Sequence, residues 1–208
     1  MLLEYSCEGE QPLSAQPNPT LEELPRKISV AEYLELLRKS DERLEYVDGV
    51  VIAMAGESLP HNEVAGNIYS ELKVEFRGRS CKVYFEGIKI RVSSTQYRYP
   101  DVVALCGTPQ IDSQEPPSLL NPQVIFEVLS PSTEEFDKGD KFAEYKQIAS
   151  LMDYILISQE KMNVVHYARQ SPTQWIVTEF TNAEDIIVLA PLGVSLTIAA
   201  IYQEIELP

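Results

Sequence analysis

The chain has 208 residues, 44% hydrophobic and 24% charged, enough for one sizeable core and too apolar for a disordered chain. Three cysteines, Cys7, Cys81 and Cys106, make an odd count with no CxxC pair, so a disulfide framework and a zinc ribbon both fit poorly. They are expected to be buried free thiols of a cytoplasmic protein. The net charge of −15 argues against nucleic acid, but residues 59–98 hold 7 basic and 4 acidic side chains. That basic segment also fits a solvated strand-and-helix surface, so composition leaves the partner open.

Residues 1–25, rich in Pro, Glu and Gln, are expected to form a flexible tail, with no basic, apolar signal-peptide pattern. Residues 26–208 then form one domain, in three parts. In residues 26–58, Ser29 and Glu32 spell a capping box for a helix with Val30, Tyr33, Leu34 and Leu37 on its apolar face. The run Arg43–Met54 alternates around Asp48-Gly49, the signature of a hairpin with a type I′ turn.

The second part, residues 59–158, reads as αβββαβ. A helix is expected from about Asn62 to Phe76, then a strand from Lys82 to Val92, bent or bulged at Gly87. Ser93–Tyr97 is a turn, Tyr99–Cys106 a strand, and the proline-rich stretch 107–122 a loop. Gln123–Ser130 is an apolar strand. Pro131 stops it, and Ser132 with Glu135 caps a helix running to about Ala149. Asp153–Ser158 is a further strand. In residues 159–208, MNVVHYAR and TQWIVTEF alternate like an antiparallel pair. The apolar stretch Ile186–Tyr202 is broken by Pro191 and Gly193 and falls short of the about 20 residues a membrane span needs. The fold class is α/β, with a sheet of mixed direction.

Two carboxylates stand inside apolar strands: Asp101 in YPDVVALC and Glu127 in VIFEVLS. Such groups need a partner, a hydrogen bond or a metal, and on neighbouring strands two could converge on one hard cation such as Mg²⁺. Each could equally alternate outward to solvent. Asp137, Lys141 and Tyr145 are four apart and share one face of the following helix, a spacing that a surface Asp–Lys pair also explains. His166 has no motif around it and reads as structural, and two distant histidines give a zinc site little support. No phosphate loop, dinucleotide fingerprint or nucleophile elbow is present.

Tyr99-Pro100-Asp101-Val102-Val103, the run Glu127–Thr133, and Asp137, Lys141 and Tyr145 together resemble the Uma-type family. These are restriction-endonuclease-like proteins of the PD-(D/E)XK nuclease superfamily. The hairpin Leu44–Gly49 and His61 at the head of a helix also resemble its pattern, and the likeness runs from Ser29 to the end. It implies a mixed central sheet flanked by helices, with an N-terminal helix–hairpin extension and C-terminal antiparallel strands. It further implies a Mg²⁺- or Mn²⁺-dependent endonuclease acting on DNA. Asp101, Glu127 and the Val128 carbonyl would be metal ligands, and Asp101, Glu127 and Lys141 the catalytic groups. The superfamily lysine belongs two residues after the glutamate, where this chain has Leu129; the resemblance implies that Lys141 takes its role. His61, Glu45, Asp137 and Tyr145 are auxiliary candidates. Lys82, Lys89 and Arg91 are candidates for phosphate contact, and a homodimer is the implied assembly. The alternative is a non-catalytic nucleic-acid-binding or assembly module on the same fold, which Leu129 and the charge of −15 favour. A carboxylate-pair glycosidase ranks low, for want of aromatic sugar platforms.

Overall fold

The computed structural model describes residues 27–54, 56, 58–130 and 134–207. The expected tail, Cys7 and the Ser132 cap lie outside them. Helix α1 (Val30–Lys39) starts as the capping box dictates: Ser29 Oγ accepts from the Glu32 N–H at 3.2 Å, and Glu32 Oε2 accepts from the Ser29 N–H at 2.8 Å. It buries Tyr33 and Leu37 against a hairpin of β1 (Leu44–Val47) and β2 (Val50–Ala53). The turn has φ of 48° at Asp48 and 100° at Gly49, both positive as a type I′ turn demands.

This hairpin does not stand alone. Its β1 pairs with β5 (Gln96–Arg98), and β5 with β4 (Ile90–Ser93), giving a four-stranded antiparallel sheet ordered β2-β1-β5-β4. The turn expected over Ser93–Tyr97 therefore shrinks to a tight connection, because β5 is too short to announce itself by periodicity. Tyr33, Tyr46 and Tyr97 form its small core, with ring centroids 4.9–6.2 Å apart. The bend expected at Gly87 is present and larger than a bulge. Glu86 (φ 46°) and Gly87 (φ 68°) carry the chain from β3 (Cys81–Phe85) in one sheet to β4 in the other.

Helix α2 (Leu59–Glu75) begins three residues earlier than its periodicity suggests, because Ser58 caps it and Pro60 suits the first turn. It buries Val64, Ala65, Ile68 and Leu72 on a six-stranded sheet ordered β10-β9-β8-β7-β6-β3. The remaining strands are β6 (Val102–Cys106), β7 (Val124–Leu129), β8 (Asp153–Ser158), β9 (Val164–Ser171) and β10 (Gln174–Phe180). Only β7 and β8 run parallel. Their crossover contains α3 (Glu134–Phe136), a π-helical turn (Asp137–Lys141) and α4 (Phe142–Tyr145), so the helix expected to reach Ala149 ends earlier and is wider in its middle.

Every residue of β7 is buried, since both sheet faces are covered. One face, with Val102, Phe126 and Ile155, packs on α2, the hairpin β11 (Ile186–Leu189)/β12 (Val194–Thr197) and α5 (Ile198–Ile201). The other, with Val103, Ile125 and Leu156, packs on Tyr145 and Ile148 of the crossover. The Ile186–Tyr202 stretch is thus a core-covering hairpin and short helix, and no described helix is long and apolar enough to cross a membrane. The expectation of free thiols is corrected at Cys81 and Cys106, which are disulfide-bonded directly opposite each other on β3 and β6. They are 25 residues apart in sequence, and only the strand register brings them together.

Candidate active site

The β6–β7 register, Val102↔Phe126 and Val103↔Ile125, continues one step to set Asp101 across from Glu127 on the face that carries Val103 and Ile125. Asp101 is fixed from two sides. Its Oδ2 accepts from the Val128 N–H at 2.6 Å, and its Oδ1 lies 3.2 Å from His61 Nε2 in the first turn of α2. Glu127 is 3% exposed, and its Oε1 receives both Lys141 Nζ at 2.9 Å and the Tyr145 hydroxyl at 2.8 Å. Lys141 also reaches Asp137 Oδ1 at 3.2 Å.

The π-helical turn explains how Asp137, Lys141 and Tyr145 all point inward. In α geometry, three residues spaced by four fan out over about 80°. A π turn advances fewer degrees per residue and takes out that fan; such turns cluster at functional sites. Gly139 sits in the middle of this one.

Burial is the largest influence on the Glu127 carboxyl and pushes its pKa up; Lys141 opposes the shift, while Asp101 and Asp137 add to it. For Lys141, burial disfavours the charge, but Glu127 and Asp137, with Glu45 and Asp101 behind them, outweigh it and hold the ammonium above its ordinary range. Burial, then Glu127, also raises the Tyr145 phenol. The cluster therefore holds a buried cation beside a glutamate whose ionisation burial and the neighbouring acids disfavour.

Around this centre lies an ion-pair layer that sequence reasoning missed. Arg98, 1% exposed, binds Glu45 Oε2 at 2.6 Å through Nη1 and grips both Glu144 oxygens through Nε (2.9 Å) and Nη2 (2.8 Å). Glu45 Oε1 accepts from the Tyr99 N–H at 3.1 Å, so β1 and the crossover together clamp the turn that delivers Asp101. The Tyr154 hydroxyl donates to the Asp137 carbonyl at 3.1 Å, pinning the π turn to β8. The available signal was Arg98 itself, an obligate cation directly preceding Tyr-Pro-Asp.

Asp101, Glu127, Lys141, Asp137, Tyr145 and His61 are thus brought together, with Glu45 acting through Arg98. The basic candidates are not. Lys89 is corrected outright as a phosphate contact: it is 3% exposed, with Nζ 5.8 and 5.3 Å from the ring centroids of Tyr33 and Tyr97. Lys82 is exposed on β3 opposite Leu105, about 13 Å along the strand from Asp101. Arg91 is partly exposed, with Nη1 3.6 Å from Asp112 Oδ2. His166 is buried on Asp153 at 2.7 Å, consistent with a structural role.

Among the described residues no three His, Cys, Asp or Glu side chains form a ready metal cage. The donor set is nonetheless one a hard cation suits. Asp101 and Glu127 face each other in a site where burial, and after it the neighbouring acids, raises Glu127, and Mg²⁺ commonly uses one or two protein carboxylates.

Residues 30–199 match the family described as "Uma2: Putative restriction endonuclease". The chain belongs to the Uma2 family. The match runs from α1 into α5 and includes every site residue above. Two proteins of Synechocystis sp. are similar along most of their lengths: uncharacterized protein sll1609 is 33% identical over 76% of this chain and 90% of its own, and uncharacterized protein slr1290 is 32% identical over 85% and 92%. The fold is similar to that of a crystal structure described as a "putative nuclease belonging to DUF820" from Anabaena variabilis. The TM-score is 0.65 and the identity 16%, over 81% of this chain and 96% of that one. The Uma2 chain thus has a nuclease-like α/β fold.

Proposed function

We propose that this Uma2 chain is a Mg²⁺- or Mn²⁺-dependent endonuclease that hydrolyses DNA phosphodiester bonds. One observation carries the reading: Asp101, Glu127 and Lys141, from a strand start, a strand and a helical turn, meet in one buried cluster. Asp101 and Glu127, with the Val128 carbonyl, would hold the cation. When bound, the metal lowers the pKa of a water molecule and neutralises charge growing on the phosphate.

Lys141 supplies the rest from the chain itself. Its ammonium stays charged, so it acts as a donor that orients water and stabilises developing negative charge. The 2.9 Å reach to Glu127 supports its standing in for the lysine that Leu129 replaces, while Leu129 packs in the core with Tyr145 and Ile148. His61 and the Val128 N–H orient Asp101; Asp137 and Tyr145 orient Lys141 and Glu127. A homodimer in the cytoplasm, with two such sites on a duplex, is the assembly this reading implies.

Calorimetric titration of Mn²⁺ into the wild type and the Asp101→Ala/Glu127→Ala variant, with DNA cleavage followed in parallel, tests it. Metal binding and cleavage confined to the wild type support the nuclease. Equal metal binding and no cleavage by either protein overturn it. The second reading, a non-catalytic nucleic-acid-binding or assembly module, would then stand, favoured by the protein donors that already occupy Asp101 and Glu127.

A further inference from the structure

A second polar site lies apart from the carboxylate cluster. A cleft of about 550 Å³ opens where β4, the 107–122 loop, the start of α1 and the residues after α4 meet. Its walls include Val92, Leu120 and Ile148. Val92 and Ile148 belong to the same core cluster as Tyr145, so the cleft lies on the Glu127 side of the sheet. Gln147 is six residues beyond Lys141, just past the end of α4.

The polar groups lining it have capacity left over. Gln114 accepts the Tyr97 hydroxyl on Oε1 at 3.0 Å, which fixes the amide and leaves its Nε2 donors with no partner among the described residues. Gln147 donates to the Ala143 carbonyl at 3.4 Å and keeps its Oε1 as an acceptor. Arg91 Nη1 forms an ion pair with Asp112 Oδ2 at 3.6 Å, and its guanidinium donates no hydrogen bond among the described residues.

Behind this lining, Lys89 Nζ, Asp112 Oδ2 and Ser118 Oγ are buried polar atoms without a hydrogen-bond partner among the described residues. They are neighbours: the Leu119 N–H donates to the Lys89 carbonyl and the Ser118 N–H to Asp112 Oδ1, both at 2.8 Å. Lys89 Nζ lies over the ring of Tyr97, which lines the cleft. Asp112 Oδ2 faces Arg91 and Lys89 Nζ faces the Tyr33 and Tyr97 rings, so these groups form a charged layer behind the cleft wall and do not line it.

We infer that this cleft binds a nucleoside monophosphate unit, with the base between the apolar walls, its edge on the Gln114 and Gln147 amides, and its phosphate on Arg91. An amide donor and an amide acceptor match the mixed edge of a base, as glutamine does with adenine, and the volume is that of a small-molecule site. The unit is either a free nucleotide or an unpaired nucleotide of a polynucleotide. In the latter case the inference rests on the proposed nuclease reading and makes the cleft a subsite for a nucleotide near the scissile bond.

The full chain is titrated with the four deoxynucleoside 5′-monophosphates and with inorganic phosphate, and with a short duplex carrying or lacking one extrahelical nucleotide. The expected result is saturable nucleotide binding that exceeds phosphate binding and weakens roughly ten- to a hundredfold in Arg91→Gln and in Gln114→Leu, both still folded by circular dichroism. Preference for the extrahelical nucleotide assigns the polynucleotide source; free-nucleotide binding without it assigns the free one. No saturable binding, phosphate binding as tight as nucleotide binding, or binding unchanged in both variants overturns the inference. The Asp101→Ala/Glu127→Ala variant separates the two readings: nucleotide binding persists there even if no protein cleaves DNA.

Discussion

Lys141 meets Glu127 at 2.9 Å from a π-helical turn, whereas the strand position two residues after Glu127 holds a buried leucine. The cation beside Glu127 thus comes from the crossover and not from the strand itself. The pair is buried on both sides, so neither partner is dispensable. Lys141→Met strands Glu127 and Asp137 in the core and is expected to cost about 3–5 kcal/mol in urea denaturation, besides abolishing DNA cleavage. Glu127→Gln/Lys141→Met, which removes both charges, should recover much of that stability but none of the cleavage.

Arg98 makes a second test of buried charge. Replacing it with Met leaves Glu45 and Glu144 facing each other without their common cation. A loss of about 3–5 kcal/mol is expected. Adding Glu45→Gln should return part of it, and a strictly additive loss in the double variant would show that the two groups are not coupled.

Lys89 gives the chain a pH signature. Burial lowers its pKa from 10.5 to about 8, against the pull of Asp112 and Glu115, while the faces of Tyr33 and Tyr97 flank it. Between those two values the unfolded chain binds more protons at this position than the folded one, so this residue's contribution to stability rises with pH from about 8 to 10.5. Denaturation midpoints measured across that window should rise with pH in the wild type relative to Lys89→Met.

The Cys81–Cys106 bond closes a loop of 25 residues. Chain-entropy reasoning puts its contribution at about 3.5 kcal/mol. The Cys81→Ser/Cys106→Ser variant should melt lower than the oxidised wild type and match the wild type held in dithiothreitol.

What could be read along the chain was local. The Ser29 capping box, the Asp48-Gly49 turn and the limits of β8 follow from contacts a few residues apart, and the structure repeats them almost residue for residue. The acids in apolar strands were equally legible, because an ionisable group in such a run needs a partner wherever the strand goes. The partners were not. Three-residue β5 joins the hairpin sheet only because β1 is there to receive it, and Arg98 is a buried clamp only because Glu45 and Glu144 arrive from 53 and 46 residues away. Lys89 looked like surface charge until Tyr33 and Tyr97 closed over it, and the two cysteines met through strand register alone. Sequence by itself determined which residues must be capped, turned or paired. Tertiary structure decided with whom, because burial and charge neutralisation depend on neighbours that only the folded chain assembles.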